Sequence, residues 1–162
     1  MVIDIVINMN KKECLFICMS IHSTMNPISI TNQNFNFVYY FLDLFLKNTH
    51  IHNTSNVMYL SMIYISKIKH SIKKKSMEYI FITAFLLAYK WINDGNISLD
   101  YISKYLNIDK NILCENERSV LKYLDYNLNV SSIEFDHYKQ ELNNNYQIEN
   151  RKWKQDEILF LY

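Results

Sequence analysis

The chain has 162 residues, of which 49% are hydrophobic and 20% charged, and its formal net charge at pH 7 is +1. This composition is typical of a globular domain, and the balanced charge disfavours a general nucleic-acid or membrane surface. One glycine and one proline are too few for the many turns of an all-β fold, so we expect long helices joined by short polar segments.

Residues 1–27 form a predicted N-terminal extension. Within it, KKECLFICMSI has the positive flank and the short apolar stretch of a signal peptide. However, Glu13 lies at that flank and no small-residue cleavage site follows, which favours an extra helix or strand packed on the domain. The cysteines, Cys14, Cys18 and Cys114, are odd in number and lack C-x-x-C spacing, so we expect free thiols in a reducing compartment, the cytoplasm or the nucleus.

Three helices are predicted in the first half of the domain. Apolar residues recur at helical spacing over 33–47 and again over 56–69, where Ser55 is the predicted N-cap. The third predicted helix, over 76–92, is apolar around its whole circumference, which is typical of a central helix wrapped by others. Gly95, the sole glycine, is expected to end it as a C-terminal cap.

Further helices follow in the second half. The fourth covers 98–106, with Ser98 as its N-cap and Asp100 in its first turn, and the fifth covers 112–126. Ser132 then begins a helix over 133–144, and the amphipathic end of the chain, over 150–162, is a candidate last helix. No strand-like alternation and no internal repeat is present, so the predicted fold class is all-α.

Signals of enzyme chemistry are weak. A single glycine excludes a glycine-rich phosphate loop, and neither a nucleophile elbow nor a paired general acid and base stands out. His50-x-His52 has no third ligand at metal spacing and is interpreted as a solvated loop. We therefore expect no catalytic residues, no metal, no cofactor and no small-molecule substrate. The longest apolar run is too short to span a bilayer, so no membrane association is expected either.

Two charged features are more informative about function. The basic cluster KIKHSIKKK, residues 67–75, could bind phosphate or act as a nuclear-import signal, but such a run is more often a solvated helix end. Lys90 lies in the last turn of the most apolar helix, and Glu117 lies in the first half of another one. A charge there is costly unless it reaches water or a partner. Either Lys90 snorkels to its own helix end, or both residues face a surface covered by another protein.

Two motifs resemble the cyclin family. LLAYKWIND resembles the A-A-K-F-x-D-D end of the third cyclin helix. NERSVLKYLDYNLNVSSIEFDHY resembles the fifth-helix motif x-E-x-x-x-L-x-x-L-x-F-x-L-x-V followed by S-x-x-x-F-x-x-Y. The resemblance covers about 28–141, is specific in the third and fifth helices and weak in the first two. Its D-[FY]-x-L-N-V-S wording is closest to P-type cyclins, which have a single cyclin box.

The resemblance implies a five-helix cyclin box over 28–141, flanked by the extension 1–27 and a helical tail over 142–162. It implies a regulatory subunit that binds and allosterically activates a cyclin-dependent protein kinase. In that family, Lys90 and Glu117 would make polar contacts to the kinase. Anchor residues at the same interface would be Leu87, Trp91, Leu121, Tyr126 and Leu128.

One departure from the family pattern limits this interpretation, and one further motif match is set aside. The first predicted helix has no arginine, so the M-R-A-I-L substrate-docking patch is not visible. The match of RSVL to the R-x-x-L core of a destruction box is interpreted as coincidence, because it lies within a predicted packed helix. The alternatives are a cyclin-fold scaffold that binds transcription machinery or nucleic acid through residues 67–75, and an unrelated helical enzyme with a deep pocket. Steep salt dependence of DNA binding would favour the scaffold.

Overall fold

The computed structural model describes residues 40–41, 54–71, 77–94 and 97–155 of the chain. Five helices and no strand occur within these ranges, which confirms the predicted all-α class. Tyr40 and Phe41 are helical as well, and they fall in the first predicted helix. The helices are α1 (Thr54–Ile68), α2 (Met77–Asn93), α3 (Leu99–Leu106), α4 (Lys110–Tyr123) and α5 (Ser132–Gln155).

The chain divides into two compact units. One unit is His50–Ser131, which contains α1 to α4, the counterparts of the second to fifth predicted helices. The other combines Met1–Thr49 with Ser132–Tyr162 and contains α5. The domain boundaries expected at 27/28 and 141/142 stay predictions. The calls on the N-terminal extension, including Cys14 and Cys18, lie outside the described residues, whereas Cys114 is a free thiol.

The core of the His50–Ser131 unit lies along α1 and α2. These two helices pack on each other, α2 packs also on α4, and α3 packs on α4. Every residue over 57–65 and over 80–88 is buried, so both helices are covered around their circumference. Burying one Phe or Leu side chain contributes about 1.5–3 kcal/mol, so these two buried runs contribute much of the stability of the unit. The hydroxyls of Ser61 and Thr83 donate to backbone carbonyls of their own helices, those of Met58 and Tyr79.

The start of α1 differs from the prediction, and the end of α2 lies one residue beyond the predicted end. The first residue of α1 is Thr54, so Ser55 lies inside the helix and is not its cap. After α2, Asp94 already has a left-handed φ of 47°. Aspartate visits this region more readily than most residues. Gly95 itself lies outside the described residues, so its predicted role as the cap stays a prediction.

The N-cap positions of α3 and α4 differ, because only the N-cap residue of α4 makes a side-chain capping bond, and that cap was not predicted. Ser98 occupies the predicted N-cap position of α3, but its side chain makes no capping hydrogen bond there. The cap of α4 is Asp109, whose carboxylate accepts from the backbone N–H of Asn111 at 2.8 Å. The sequence prediction missed this cap and placed the start of the helix two residues late. A side-chain cap of this kind contributes about 1 kcal/mol.

α5 is a single helix of 24 residues, Ser132–Gln155, where the sequence predicted an interruption after residue 144. No proline or glycine lies within it, so nothing in its backbone forces a break. Ser132 is its first helical residue. Among the described helices, none is both long enough and apolar enough to cross a membrane.

Candidate functional site

The ammonium of Lys90 forms an ion pair with the carboxylate of Glu117. Lys90 Nζ lies 2.8 Å from Oε1 and 3.0 Å from Oε2 of Glu117, so both carboxylate oxygens accept from one donor. The two side chains are 31% and 20% exposed, respectively. Lys90 therefore has a partner within the chain. The sequence prediction placed both residues near a helix surface but did not foresee that they pair with each other.

Packing of α2 on α4 brings these two groups together. Lys90 lies in the last turn of α2, directly after the buried run over 80–88. On α4 the buried residues Leu113, Asn116 and Val120 form one face, and Glu117 lies at its border. Charge-assisted hydrogen bonds in partly buried positions contribute roughly 1.5–3 kcal/mol, and one member left alone there would lose much of its solvation. The pair thus ties α2 to α4 at the edge of the core.

The two α2 residues predicted as anchors lie in different environments. Trp91 follows Lys90 and is 49% exposed, so about half of a large aromatic surface faces solvent. Leu87, one helical turn before Trp91, is only 3% exposed and belongs to the core. Leu87 therefore offers almost no surface to a partner in this conformation, whereas Trp91 offers a large one.

α4 ends in a Schellman turn, and this turn joins two further candidate residues, Leu121 and Tyr126, by a backbone hydrogen bond. The backbone N–H of Tyr126 donates to the carbonyl of Leu121 at 2.8 Å, and the N–H of Asp125 donates to that of Lys122 at 3.1 Å. Asp125 and Tyr126 have left-handed φ values of 52° and 56°. For a tyrosine this conformation is uncommon and strained. The side chain of Tyr126 is 71% exposed, so this turn holds an aromatic ring in solvent.

The last candidate, Leu128, is held through its backbone. Its carbonyl accepts from the hydroxyl of Tyr64, on α1, at 2.8 Å. Next to it, the side-chain oxygen of Asn127 accepts from the backbone N–H of Asn129 at 3.1 Å, which forms an Asx turn. Burial raises the pKa of the Tyr64 phenol far above its usual range. The side chain of Leu128 is partly exposed.

All seven predicted site residues lie in the His50–Ser131 unit. The structure joins Lys90 to Glu117 by an ion pair and Leu121 to Tyr126 by a backbone hydrogen bond, and it places Leu87 in the core. Sequence reasoning missed Tyr64 as part of this region. Only the apolar spacing over 56–69, the range that contains Tyr64, was noted, and its bond partner lies 64 residues away, beyond any local signal.

Other charged groups lie apart from this set. Asp100 and Lys110 form an exposed ion pair of 2.8 Å between α3 and the start of α4. The hydrogen bond from Lys110, with its charge, lowers the pKa of Asp100, and the pKa of Lys110 is raised in return. Of the basic cluster 67–75, only residues 67–71 are described. His50 and His52 lie outside the described residues, among which no group of three metal-ligating side chains occurs.

Comparison with known families identifies the chain. The family model described as "Cyclin, N-terminal domain" matches residues 4–129, well over half of the sequence. The chain therefore belongs to the cyclin N-terminal domain family, whose members are regulatory proteins. No curated protein and no solved structure matches it.

Proposed function

We propose that this chain is a regulatory subunit that binds and allosterically activates a cyclin-dependent protein kinase. The observation that carries the proposal is the Lys90–Glu117 ion pair at the edge of the α2–α4 interface. Cyclin residues that contact the kinase correspond to these two positions in the resembling motifs. A formed, partly exposed pair presents both charges in a fixed arrangement, as a docking surface requires.

Exposed aromatic side chains near the same helix ends support this assignment. Trp91 directly follows Lys90, and Tyr126 follows the end of α4. Trp and Tyr are the residue types that most often dominate binding energy at the centre of a protein interface. Leu121 and Leu128 supply partly exposed apolar surface next to them. Leu87 would contribute indirectly, because its packing in the core stabilises the helix that carries Trp91.

Activation would follow from binding one kinase conformation in preference to another. In the proposed complex, α2 and α4 hold the kinase C-helix inward, so that its glutamate pairs with the strand lysine that orients ATP. Binding shifts the kinase population only if the chain binds the active state more tightly than the inactive one. The chain itself would contribute no catalytic residue and no cofactor.

Within the family, we assign the chain to the P-type group. The support is the wording DYNLNVS over residues 125–131, which resembles the D-[FY]-x-L-N-V-S pattern of these cyclins. In this chain that wording coincides with the Schellman turn and the Asx turn after α4. The assignment predicts that P-type partner kinases bind more tightly than other cyclin-dependent kinases in a panel of purified enzymes.

A charge swap tests the kinase-binding proposal. Lys90→Glu alone places two carboxylates together and should destabilise the protein by about 1–3 kcal/mol, because a charge-assisted bond is lost. The double variant Lys90→Glu, Glu117→Lys can re-form the pair with reversed polarity and should recover much of that loss. Kinase affinity should stay about thirtyfold to several thousandfold weaker in the double variant, because its charges now oppose those of the partner. Thermal melts and pull-down with purified kinases measure the two effects separately.

A matched control is the same swap at the exposed pair, Asp100→Lys with Lys110→Glu. This variant has the same total charge and the same type of pair, but it lies on α3 and the start of α4. It should bind kinase as the wild type does. If the folded Lys90–Glu117 swap activates kinase at wild-type concentrations, the pair has no part in the mechanism.

A further inference from the structure

The loop that follows α4, residues 124–130, is held at several points along its length. The Schellman bonds of Asp125 and Tyr126 fix its start, and the N–H of Asn127 donates to the carbonyl of Leu124 at 2.9 Å. The Asx bond from Asn129 to Asn127 shapes its middle. These contacts are all local to the loop and to α4. A single described hydrogen bond joins the loop to a distant helix, and it comes from the Tyr64 hydroxyl on α1.

Tyr64 is suited to hold a backbone segment in this way. Its side chain is fully buried, so the ring direction is set by packing and the hydroxyl has little freedom. A phenol is protonated at neutral pH, so the group is a donor there, and it donates to the Leu128 carbonyl at 2.8 Å. Leucine, phenylalanine or methionine would fill the same space in the core without a hydroxyl. The Tyr64 hydroxyl therefore contributes to the position of the loop and not to packing in the core.

We propose that Tyr64 is a positioning residue, which holds residues 124–130 in one conformation so that Tyr126 and Leu128 are presented to the partner before binding. The inference rests on the proposed kinase-binding function and names a residue outside the predicted contact set. Tyr64 touches no partner in this proposal. It acts through the Leu128 carbonyl, while the left-handed backbone at Asp125 and Tyr126 directs the exposed ring.

The physical reason is preorganisation. A loop that is already ordered loses less conformational freedom on binding than one that must be ordered at the interface. If the tether breaks, only a fraction of the molecules presents the loop correctly, and the apparent affinity falls by that fraction. The association rate should then decrease, while the dissociation rate changes little because the bound loop is held by the partner. A residue with a purely structural role would not produce this split.

Tyr64→Phe is the decisive variant, since it keeps the ring and removes only the hydroxyl. In the full-length chain, amide hydrogen exchange at Asn127 and Asn129 should become about fivefold to tenfold faster, the range expected when one net hydrogen bond is lost. Exchange in α2 should not change. The association rate with a kinase that the wild-type chain binds should decrease by about threefold to tenfold. The dissociation rate should stay nearly unchanged. Tyr105→Phe, which removes an exposed tyrosine hydroxyl on α3, is the control and should alter neither rate.

A second variant keeps the proposal testable if Tyr64→Phe does not fold. Asn127→Ala removes the Asx bond from an exposed position and should loosen the same loop to a smaller extent, with a correspondingly smaller decrease in association rate. Unchanged exchange in the loop, or faster exchange with unchanged association, overturns the positioning role. If the wild-type chain retains no kinase from a purified panel, the proposed function itself fails. That outcome can be told apart from failure of the positioning role, because it is observed with the wild type alone and does not depend on any variant.

Discussion

In α1 and α2 the buried residues lie all around the helix, whereas in α4 they form one narrow face and in α3 only Ile102 is buried. The first pair contains long runs of buried apolar side chains. The two buried hydroxyls within these runs, those of Ser61 and Thr83, donate to backbone carbonyls of their own helices. The second pair has an aspartate cap, a Schellman turn and an exposed ion pair, and its outer face carries tyrosines. Hydrophobic burial thus defines the first pair, and specific polar contacts define the ends of the second. The candidate site lies where α2 meets α4.

The largest expected difference between the two regions is the response to loss of a side chain. Phe85→Ala removes a fully buried ring that lies 5.8 Å, centroid to centroid, from the ring of Phe81. It should destabilise the protein by about 3–5 kcal/mol, the usual range for such a cavity. Ile112→Ala on the exposed face of α4 is the matched control and should change stability by less than about 0.5 kcal/mol. Urea denaturation measures both, and equal midpoints for the two variants would contradict the distinction.

A smaller effect is expected at the start of α4. Asp109→Ala removes the carboxylate that accepts from the Asn111 N–H, and it should lower the free energy of unfolding by about 1 kcal/mol. Asp109→Asn keeps an acceptor and should retain most of the stability. The comparison is made by denaturant titration at neutral pH. Equal losses for Ala and Asn would mean that the side-chain oxygen does not cap the helix.

A still smaller effect, of opposite sign, is expected at the end of the same helix. Asp125 has a left-handed φ of 52°, which glycine adopts without steric cost. Asp125→Gly relieves this strain but increases the entropy of the unfolded chain, so we expect a net gain of about 0.5 kcal/mol. Asp125→Val, which is branched at Cβ, should destabilise instead. A glycine variant that melts below the wild type would show that the aspartate side chain stabilises the turn.

The smallest effect should come from the fully exposed pair of Asp100 and Lys110. The pKa of Asp100 is lowered in the folded state, so any stabilisation is present above its unfolded pKa and is lost as the pH falls through the folded value. Because the group is fully solvated, screening should leave little to lose. We expect the melting temperatures of Asp100→Asn and the wild type to agree from pH 7 to pH 3. A gap at pH 7 that closes in acid would assign the pair a structural role.

The positions of α1 to α4 could be predicted well, because apolar residues recur at helical spacing or, in α2, fill an unbroken run between polar segments. The third predicted helix, 76–92, differs from the observed Met77–Asn93 by one residue at each end. The fifth was less accurate, since a stripe of apolar residues marks its middle and not its ends. Asp109 directly precedes this helix and is a favoured N-cap type, so the signal for its start was present and was overlooked.

The site could be predicted only in part. Motif resemblance selected Lys90 and Glu117, but their ion pair joins residues 27 positions apart and depends on how α2 packs on α4. The same holds for Tyr64 and Leu128, which lie 64 positions apart. No local spacing rule reaches such pairs. Whether a selected residue is exposed also depends on packing, as the burial of Leu87 demonstrates.

The half-exposed ring of Trp91 has an optical consequence. An indole in partial contact with water emits at longer wavelength than one in a dry environment, so its fluorescence depends on what covers it. The sequence contains one other tryptophan, Trp153, and replacing it with phenylalanine leaves Trp91 as the single emitter. Binding of a partner to the candidate surface would then be measured as a shift in the emission wavelength of Trp91, without an attached dye.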